Sequence, residues 1–378
     1  MVAHKNSLRD LSKLFTTLGF IAFGGPAAHI AMMRDEVVRK RKWINDQEFL
    51  DLVGATNLIP GPNSTEMSMH IGQERSGWKG LIVAGLCFIL PAVFITAVFA
   101  WLYKKYGQLP EVQPFIYGIK PAIIAVILAA IVPLAKQSIR NVRFLLLAII
   151  AFALALYGVN EILILFGAGL LALLAAIRNN TKTDKPITSF LPFGLLQISG
   201  ATFLSLSNAQ LFFIFLKIGA ILYGSGYVLF AFLDAELVTP GLLSKQQLVD
   251  AIAVGQITPG PVFSSVTFIG YQLNGWSGAT AATIGIFLPS FLFVALLNPL
   301  VKKIRTSKLF SSFLDAVNVA SVALIAAICA EMAMESISGW RTVLIGVLSI
   351  AIAFGFKKVN SAFIVIGGSL LGYFLTLV

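Results

Sequence analysis

The chain alternates between long apolar runs and short polar ones, and the apolar runs have lengths suited to helices that enter a membrane. In the first half they fall at roughly 14–33, 46–74, 78–103, 112–135, 142–157 and 159–177. In the second half they fall at roughly 211–233, 246–271, 276–301, 310–334, 341–356 and 359–377. A polar stretch, Arg178 to Lys185, separates the halves, followed by a weaker apolar segment at about 188–206 with no counterpart elsewhere. The pattern predicts an all-helical integral membrane protein.

The two sets of segments are copies of one unit. Gly19–Gly24 reads GFIAFG and Gly219–Gly224 reads GAILYG, 200 positions later. Pro60-Gly61-Pro62 recurs as Pro259-Gly260-Pro261 at an offset of 199, as does Glu48 to Asp51 in Gln247 to Asp250. Ile71-Gly72, Gly77-Trp78-x-Gly80 and Leu90-Pro91 recur at 198. Chance apolar similarity does not keep such motifs in register. The expected organisation is a first repeat over 1–178, a linker with the unmatched segment over 179–209, and a second repeat over 210–378.

Each copy carries breaks inside its first two segments. Gly24-Gly25-Pro26 interrupts one, and Pro60-Gly61-Pro62 the next. Proline removes a backbone donor and glycine permits tight turns, so a helix stops there. Such breaks suit either kinked spanning helices or re-entrant loops buried among other helices.

Charge decides between these and sets the topology. Cytoplasmic loops are enriched in Lys and Arg. The loop after the first segment holds Arg34, Arg39, Lys40, Arg41 and Lys42, whereas its counterpart in copy two holds Asp234, Glu236 and Lys245. The same element therefore faces opposite sides in the two copies, as in inverted-repeat transporters. If every segment crosses, the five-charge loop lies opposite the basic N-terminal tail. If the first two segments of each copy dip in and return, and Lys120 and Lys217 are set aside as intramembrane, the Lys and Arg divide 22 inside to 4 outside. That arrangement is expected, with the N-terminus cytoplasmic, the C-terminus extracytoplasmic, and the unmatched segment crossing.

Composition agrees. Of 378 residues, 57% are hydrophobic and 12% charged, and the mean hydropathy is +0.87; soluble domains carry about 25% charged residues. The net charge of +11 is dispersed in short runs, so it reads as contacts with lipid headgroups rather than with nucleic acid. Cys87 and Cys329 sit in apolar stretches, and His4, His29 and His70 have no metal-ligand spacing. No enzyme motif, metal site or cofactor is expected.

The candidate chemistry lies at the breaks. The second half of a broken helix begins with free N–H groups and the positive end of the helix dipole, which together attract anions. Asn63, Ser64 and Thr65 follow Pro60, Gly61 and Pro62. Ser264 and Ser265 follow Pro259, Gly260 and Pro261. Gly24, Gly25, Gly224, Ser225 and Gly226 permit close backbone approach. These residues form the candidate substrate site for a tetrahedral oxyanion, the alternative being packing and turns alone. Lys120, inside an apolar segment, is added as a cation for a dianion; Lys217, near a segment start, reads better as snorkelling. Glu66 is either a helix N-terminal charge or a proton-coupling group. Asp51 and Asp250 are expected to pair with nearby basic side chains, and Glu331 and Glu335 to be interfacial.

The set Phe23 to Pro26, Trp43-Ile44 leading to Glu48 to Asp51, Pro60 to Asn63, Gly77-Trp78-x-Gly80 and Pro91-Ala92 resembles the chromate ion transporter family. In copy two, Gly224 to Gly226, Gln256 to Pro261 and Gly275-Trp276-x-Gly278 carry the same resemblance, so the chain is similar to the family's long, two-domain form. The resemblance implies chromate export across the bacterial inner membrane, with sulfate as the similar oxyanion and the two domains in opposite orientation. One departure is that Gly25-Pro26 aligns with Ser225-Gly226, so the copies are not equivalent. A sulfate or other anion permease and an anion-selective channel are the alternatives. A homodimer is the default assembly, since symmetric dimers are the commonest oligomers.

Overall fold

The computed structural model describes residues 7–23, 25–107, 109–179, 206–223, 226–304, 308–337, 339–356 and 359–377. The unmatched segment at 188–206 lies, apart from Leu206, outside the described residues, as does most of the linker. Copy one contains α1 (Ser7–Ile21), α2 (Gly25–Arg34), α3 (Asp46–Thr56), α4 (Asn63–Tyr106), α5 (Gln113–Ser138), α6 (Val142–Leu156) and α7 (Glu161–Asn179). Copy two repeats the series as α8 (Asn208–Ile221), α9 (Leu229–Leu233), α10 (Lys245–Ile257), α11 (Ser265–Ile304), α12 (Lys308–Ser336), α13 (Trp340–Gly355) and α14 (Ser361–Thr376). No strand occurs among the described residues. The all-helical, two-copy fold read from the sequence is therefore present, with seven α-helices per copy among the described residues rather than six segments. The breaks divide the segments that contain them, and α1 begins in the polar run before residue 14.

Local sequence explains where these helices start and turn. Asn45 caps α3 in a reciprocal capping box with Glu48, and Ser244 caps α10 in the same way with Gln247. α4 is folded back on itself at Ser76 and Gly77 (Gly77 φ +60°, ψ −151°), and α11 at Asn274 and Gly275 (Gly275 φ +63°, ψ −149°). Gly72 and Gly80 then lie backbone to backbone, as do Gly270 and Gly278, so a Cβ at any of the four collides with the other arm of the helical hairpin. Small residues are what lets helices approach so closely in a membrane, where apolar burial alone does not favour association.

Contacts fix the path through the membrane. Arg34, at the end of α2, donates to Asp46 at the start of α3 at 2.7 Å. Arg75, at the fold of α4, stacks its guanidinium 5.0 Å from the Trp43 ring centroid. α1 packs along α4, with Ser12 at Cys87 and Gly19 against Phe88 and Pro91. The start of α1, the loop between α2 and α3, and the fold of α4 thus share one face, here the first face. Both broken segments enter from it and return to it, and α4 then crosses to the second face.

Copy two does the same from the opposite side. Asn274, at the fold of α11, donates to the Leu206 carbonyl and to Asn208 at the start of α8. Tyr103 and Lys104, at the far end of α4, reach Asp250 on α10 and the Gln272 carbonyl. The fold of α11 therefore lies where α4 ends, on the second face. The inversion inferred from Lys and Arg is a feature of the packing.

The remaining helices are exchanged between copies. α5 packs against α13 and α14, while α12 packs against α6 and α7. Gly118 meets Gly368 and Gly372 at a backbone-to-backbone crossing. Five stretches, Asn63–Tyr106, Gln113–Ser138, Glu161–Arg178, Val262–Leu296 and Ser311–Ser336, are long and apolar enough to cross a membrane. Leu86, Leu90 and Phe94 of α4, Leu146 and Ile150 of α6 and Leu170 and Leu174 of α7 are exposed, as a lipid-facing surface requires.

Candidate functional site

The four breaks meet at the centre of the molecule. The Gly61 N–H donates to the Leu222 carbonyl at 2.8 Å, and the Gly260 N–H donates to the Ala22 carbonyl at 2.7 Å. These bonds are repeat images of each other. Each ties a Pro-Gly-Pro break to the first break of the opposite copy. Both glycines need left-handed or extended positive φ, +133° at Gly61 and +84° at Gly260, which other residues adopt only under strain.

Beyond the breaks the helices begin with open donors. Thr65 and Glu66 donate their N–H groups to the Pro62 carbonyl, leaving those of Asn63 and Ser64 without a backbone acceptor. In copy two the turn Val262–Ser264 closes through Ser264 N–H onto the Pro261 carbonyl at 2.9 Å before α11 begins. Residues Pro60 to Pro62, Ser64, Thr65, Gly226, Pro259 to Pro261, Ser264 and Ser265 are buried, and Asn63 is half-buried.

The side chains around the tips are polar and unusually unsatisfied. Asn63 Nδ2 donates to Asn57 Oδ1 at 2.9 Å, and Ser264 Oγ accepts from Thr96 Oγ1 at 3.2 Å. Thr65 Oγ1, both Glu66 carboxyl oxygens, Gln256 Nε2, Ser265 Oγ and Ser290 Oγ are buried without a hydrogen bond of ordinary geometry. Buried polar groups are normally satisfied, so such a concentration calls for a ligand, water or a functional role. The two tips also differ. A Cβ at Gly61 runs into the Glu66 carboxyl and the Ser290 hydroxyl, whereas one at Gly260 meets Ala92 Cβ at 2.8 Å. Ser290 and Ala92 are repeat partners, so copy one's tip is lined by a carboxyl and a hydroxyl where copy two's has a methyl.

The structure brings together most of the residues chosen from sequence, but not all. Gly25 begins α2 at φ +81°, and Gly226 packs near Phe263. Gly24, Gly224 and Ser225 lie outside the described residues. Lys120 is elsewhere: its Nζ donates to Gln246 Oε1 near the start of α10. That is eleven residues from the end of α10 at Ile257, or about 17 Å at 1.5 Å per residue. Lys217 pairs with Glu236 at 2.6 Å, and Lys245 with Glu331. The partners of Asp250 are Tyr103 at 2.5 Å and Gln246, so its strongest contact is a phenol of the other copy rather than a basic side chain. With Lys120 placed there, helix termini and hydroxyl dipoles are the groups at the tips that favour an anion.

Sequence reasoning missed Ser290, Thr96 and Tyr103. Ser290 had a signal: it directly follows the Leu-Pro pair used to align the copies, and its partner is alanine. Thr96 and Tyr103 had none, because only the inverted packing brings them to Ser264 and Asp250.

Comparison with known proteins supplies the class. A family model described as "Chromate transporter" matches residues 9–173 and again 209–373. A "Chromate transport protein" from Cupriavidus metallidurans is 31% identical over 373 residues, 97% of this chain and 92% of that protein. A "Probable chromate transport protein" from Synechococcus elongatus is 30% identical over 352 residues, 91% and 89% of the two chains. A "Chromate transport protein" from Pseudomonas aeruginosa is 27% identical over 390 residues, 97% and 92%. No solved structure matches.

Proposed function

The chain belongs to the chromate transporter family, and from that premise we propose that it is a secondary transporter exporting chromate from the cytoplasm, with the anion held where the breaks meet. It is a multi-pass membrane transporter rather than an enzyme. The observation carrying the site assignment is the set of unsatisfied buried hydroxyls at two reciprocally bonded tips.

The chemistry fits a tetrahedral dianion. The Asn63 and Ser64 N–H groups, the hydroxyls of Ser64, Thr65, Ser264 and Ser265, and the Asn63 amide supply donors at the two tips. Helix N-termini add positive potential without a fixed cation, so the anion is bound but not trapped. Gly25 and Gly226 allow the anion close approach to the backbone beside the tips. Lys120 then acts on the path from the second face rather than at the tips. Glu66, the single carboxylic acid at the tips among the described residues, is assigned to coupling: a carboxylate repels the dianion, and taking up a proton removes that repulsion.

With the first face cytoplasmic, the basic loop Arg34–Lys42 lies inside, as the positive-inside rule requires. An interior-negative inner membrane then favours outward movement of a dianion by about 4.6 kcal/mol per 100 mV, twice the value for one charge. Sulfate has the same shape and charge and is the expected competitor. The test is chromate counterflow in liposomes containing the purified protein. Saturable counterflow, inhibited by sulfate, is expected; conduction without counterflow would make the protein an anion channel, and sulfate counterflow without chromate transport a sulfate permease.

A further inference from the structure

We propose that protons reach Glu66 through His70, along a polar stripe present in copy one alone, so that a proton moves with the anion. This inference rests on the transport reading above.

α4 leaves the central break at Asn63 and reaches the first face at Gly77. Along that turn-by-turn path Glu66, His70 and Gln73 fall at i, i+4 and i+7, which places them on one side of the helix. The other two sides are occupied. Gly72 packs on Gly80 and Met69 on Gly85, while Met67 and Ile71 join the apolar cluster with Leu14, Phe15 and Phe49. The stripe therefore looks toward copy two, where Ser290 approaches Glu66 across Gly61.

Both ring nitrogens of His70, both carboxyl oxygens of Glu66 and Oε1 of Gln73 are buried without a hydrogen bond of ordinary geometry. Glu66 and His70 are fully buried, and Gln73 is partly exposed. The stripe thus runs from solvent at the first face to the binding region. Its counterparts in copy two, aligned on Gly72 and Gly270, are Ser264, Phe268 and Tyr271, and none titrates in the neutral range. A route exists from one face only.

Among the described residues, no charge of a neighbouring element substitutes for it. α1, α3 and the outer arm of the α4 hairpin expose Arg9, Lys13, Asp46, Glu48, Asp51 and Lys79. α2 offers His29, edge-on to Phe88 at 5.7 Å. α10 holds Asp250 against Tyr103, and α11 has no Asp, Glu, Lys, Arg or His from Ser265 to Pro299. Tyr223, after α8, lies within electrostatic range of Glu66.

In the step proposed, one imidazole nitrogen of His70 takes a proton from the first face. The other nitrogen releases its proton to a Glu66 carboxylate oxygen, so the ring returns to neutral and Glu66 becomes a neutral acid. The dianion binds beside it, and both leave together.

The test uses the full-length protein in liposomes with a pH dye inside, at a pH where chromate is the dianion. Wild-type protein is expected to carry protons inward with chromate. His70→Gln is expected to keep chromate counterflow while proton co-movement falls on the order of tenfold or more. Proton co-movement at the wild-type rate in His70→Gln overturns the relay. Wild-type counterflow with no proton movement overturns the coupling, and no wild-type counterflow overturns the transport reading instead. If His70→Gln loses counterflow as well, Gln73→Leu decides: proton movement must slow while counterflow persists, and an unchanged proton rate overturns the route.

Discussion

Replacing Gly260 by alanine tests whether the breaks really meet. Two costs follow from the geometry. A side chain at φ +84° carries backbone strain of about 1–3 kcal/mol. The added Cβ would also lie 2.8 Å from Ala92 Cβ and 3.3 Å from the Gly19 carbonyl oxygen, and overpacking of that kind costs about 1–3 kcal/mol more. Together they predict a loss of about 2–6 kcal/mol. Gly275→Ala is the internal control. Its φ is +63°, yet nothing lies within 4 Å of its Cβ, so it carries the strain alone, about 1–3 kcal/mol. Thermal unfolding of the two purified variants, followed by tryptophan fluorescence, gives the comparison. Gly260→Ala should melt well below Gly275→Ala and should lose chromate counterflow, because the Gly260 N–H bond to Ala22 is displaced with the clash. Equal melting of the two variants, or full transport by Gly260→Ala, would refute the contact between breaks.

Other perturbations separate binding, approach and topology. Asn63→Leu gives up one hydrogen bond, worth about 1 kcal/mol, so it should fold but lose chromate transport in vesicle uptake. Lys120→Leu, placed away from the tips with Gln246, should slow uptake without abolishing it; complete loss would return Lys120 to the site. Cysteines at Arg39 and Lys245 should react with an impermeant maleimide from opposite sides of a sealed vesicle. Lys40, chiefly through its hydrogen bond, together with Arg41 holds the Glu36 carboxyl below its usual range. The interaction is complete above the ordinary carboxylate range and is lost as pH falls through the lowered value. A Glu36→Gln variant, which lacks that charge at every pH, should therefore be cleaved faster by trypsin at Arg39 to Lys42 at neutral pH.

The sequence by itself determined a large part of this protein. Pro-Gly-Pro at 60–62 and 259–261, with Gly-Trp-x-Gly after each, encode breaks and tight turns through local backbone chemistry, so copies, helices and breaks are legible without a partner in view. Arg34 to Lys42 against Asp234 and Glu236 encode orientation, because the bias in Lys and Arg acts on each loop separately. What touches what is different. Gly61 bonding Leu222, Gly260 bonding Ala22, Thr96 meeting Ser264, and α5 seated on α13 and α14 join residues 160 or more positions apart. No local preference specifies such pairs; they follow from two inverted units closing on each other. The same closure moves Lys120 away from the tips and brings Ser290 to Glu66. The breaks were written in the sequence as places where a helix must stop. Only the packing of four of them together turns those stops into a polar centre inside an apolar protein.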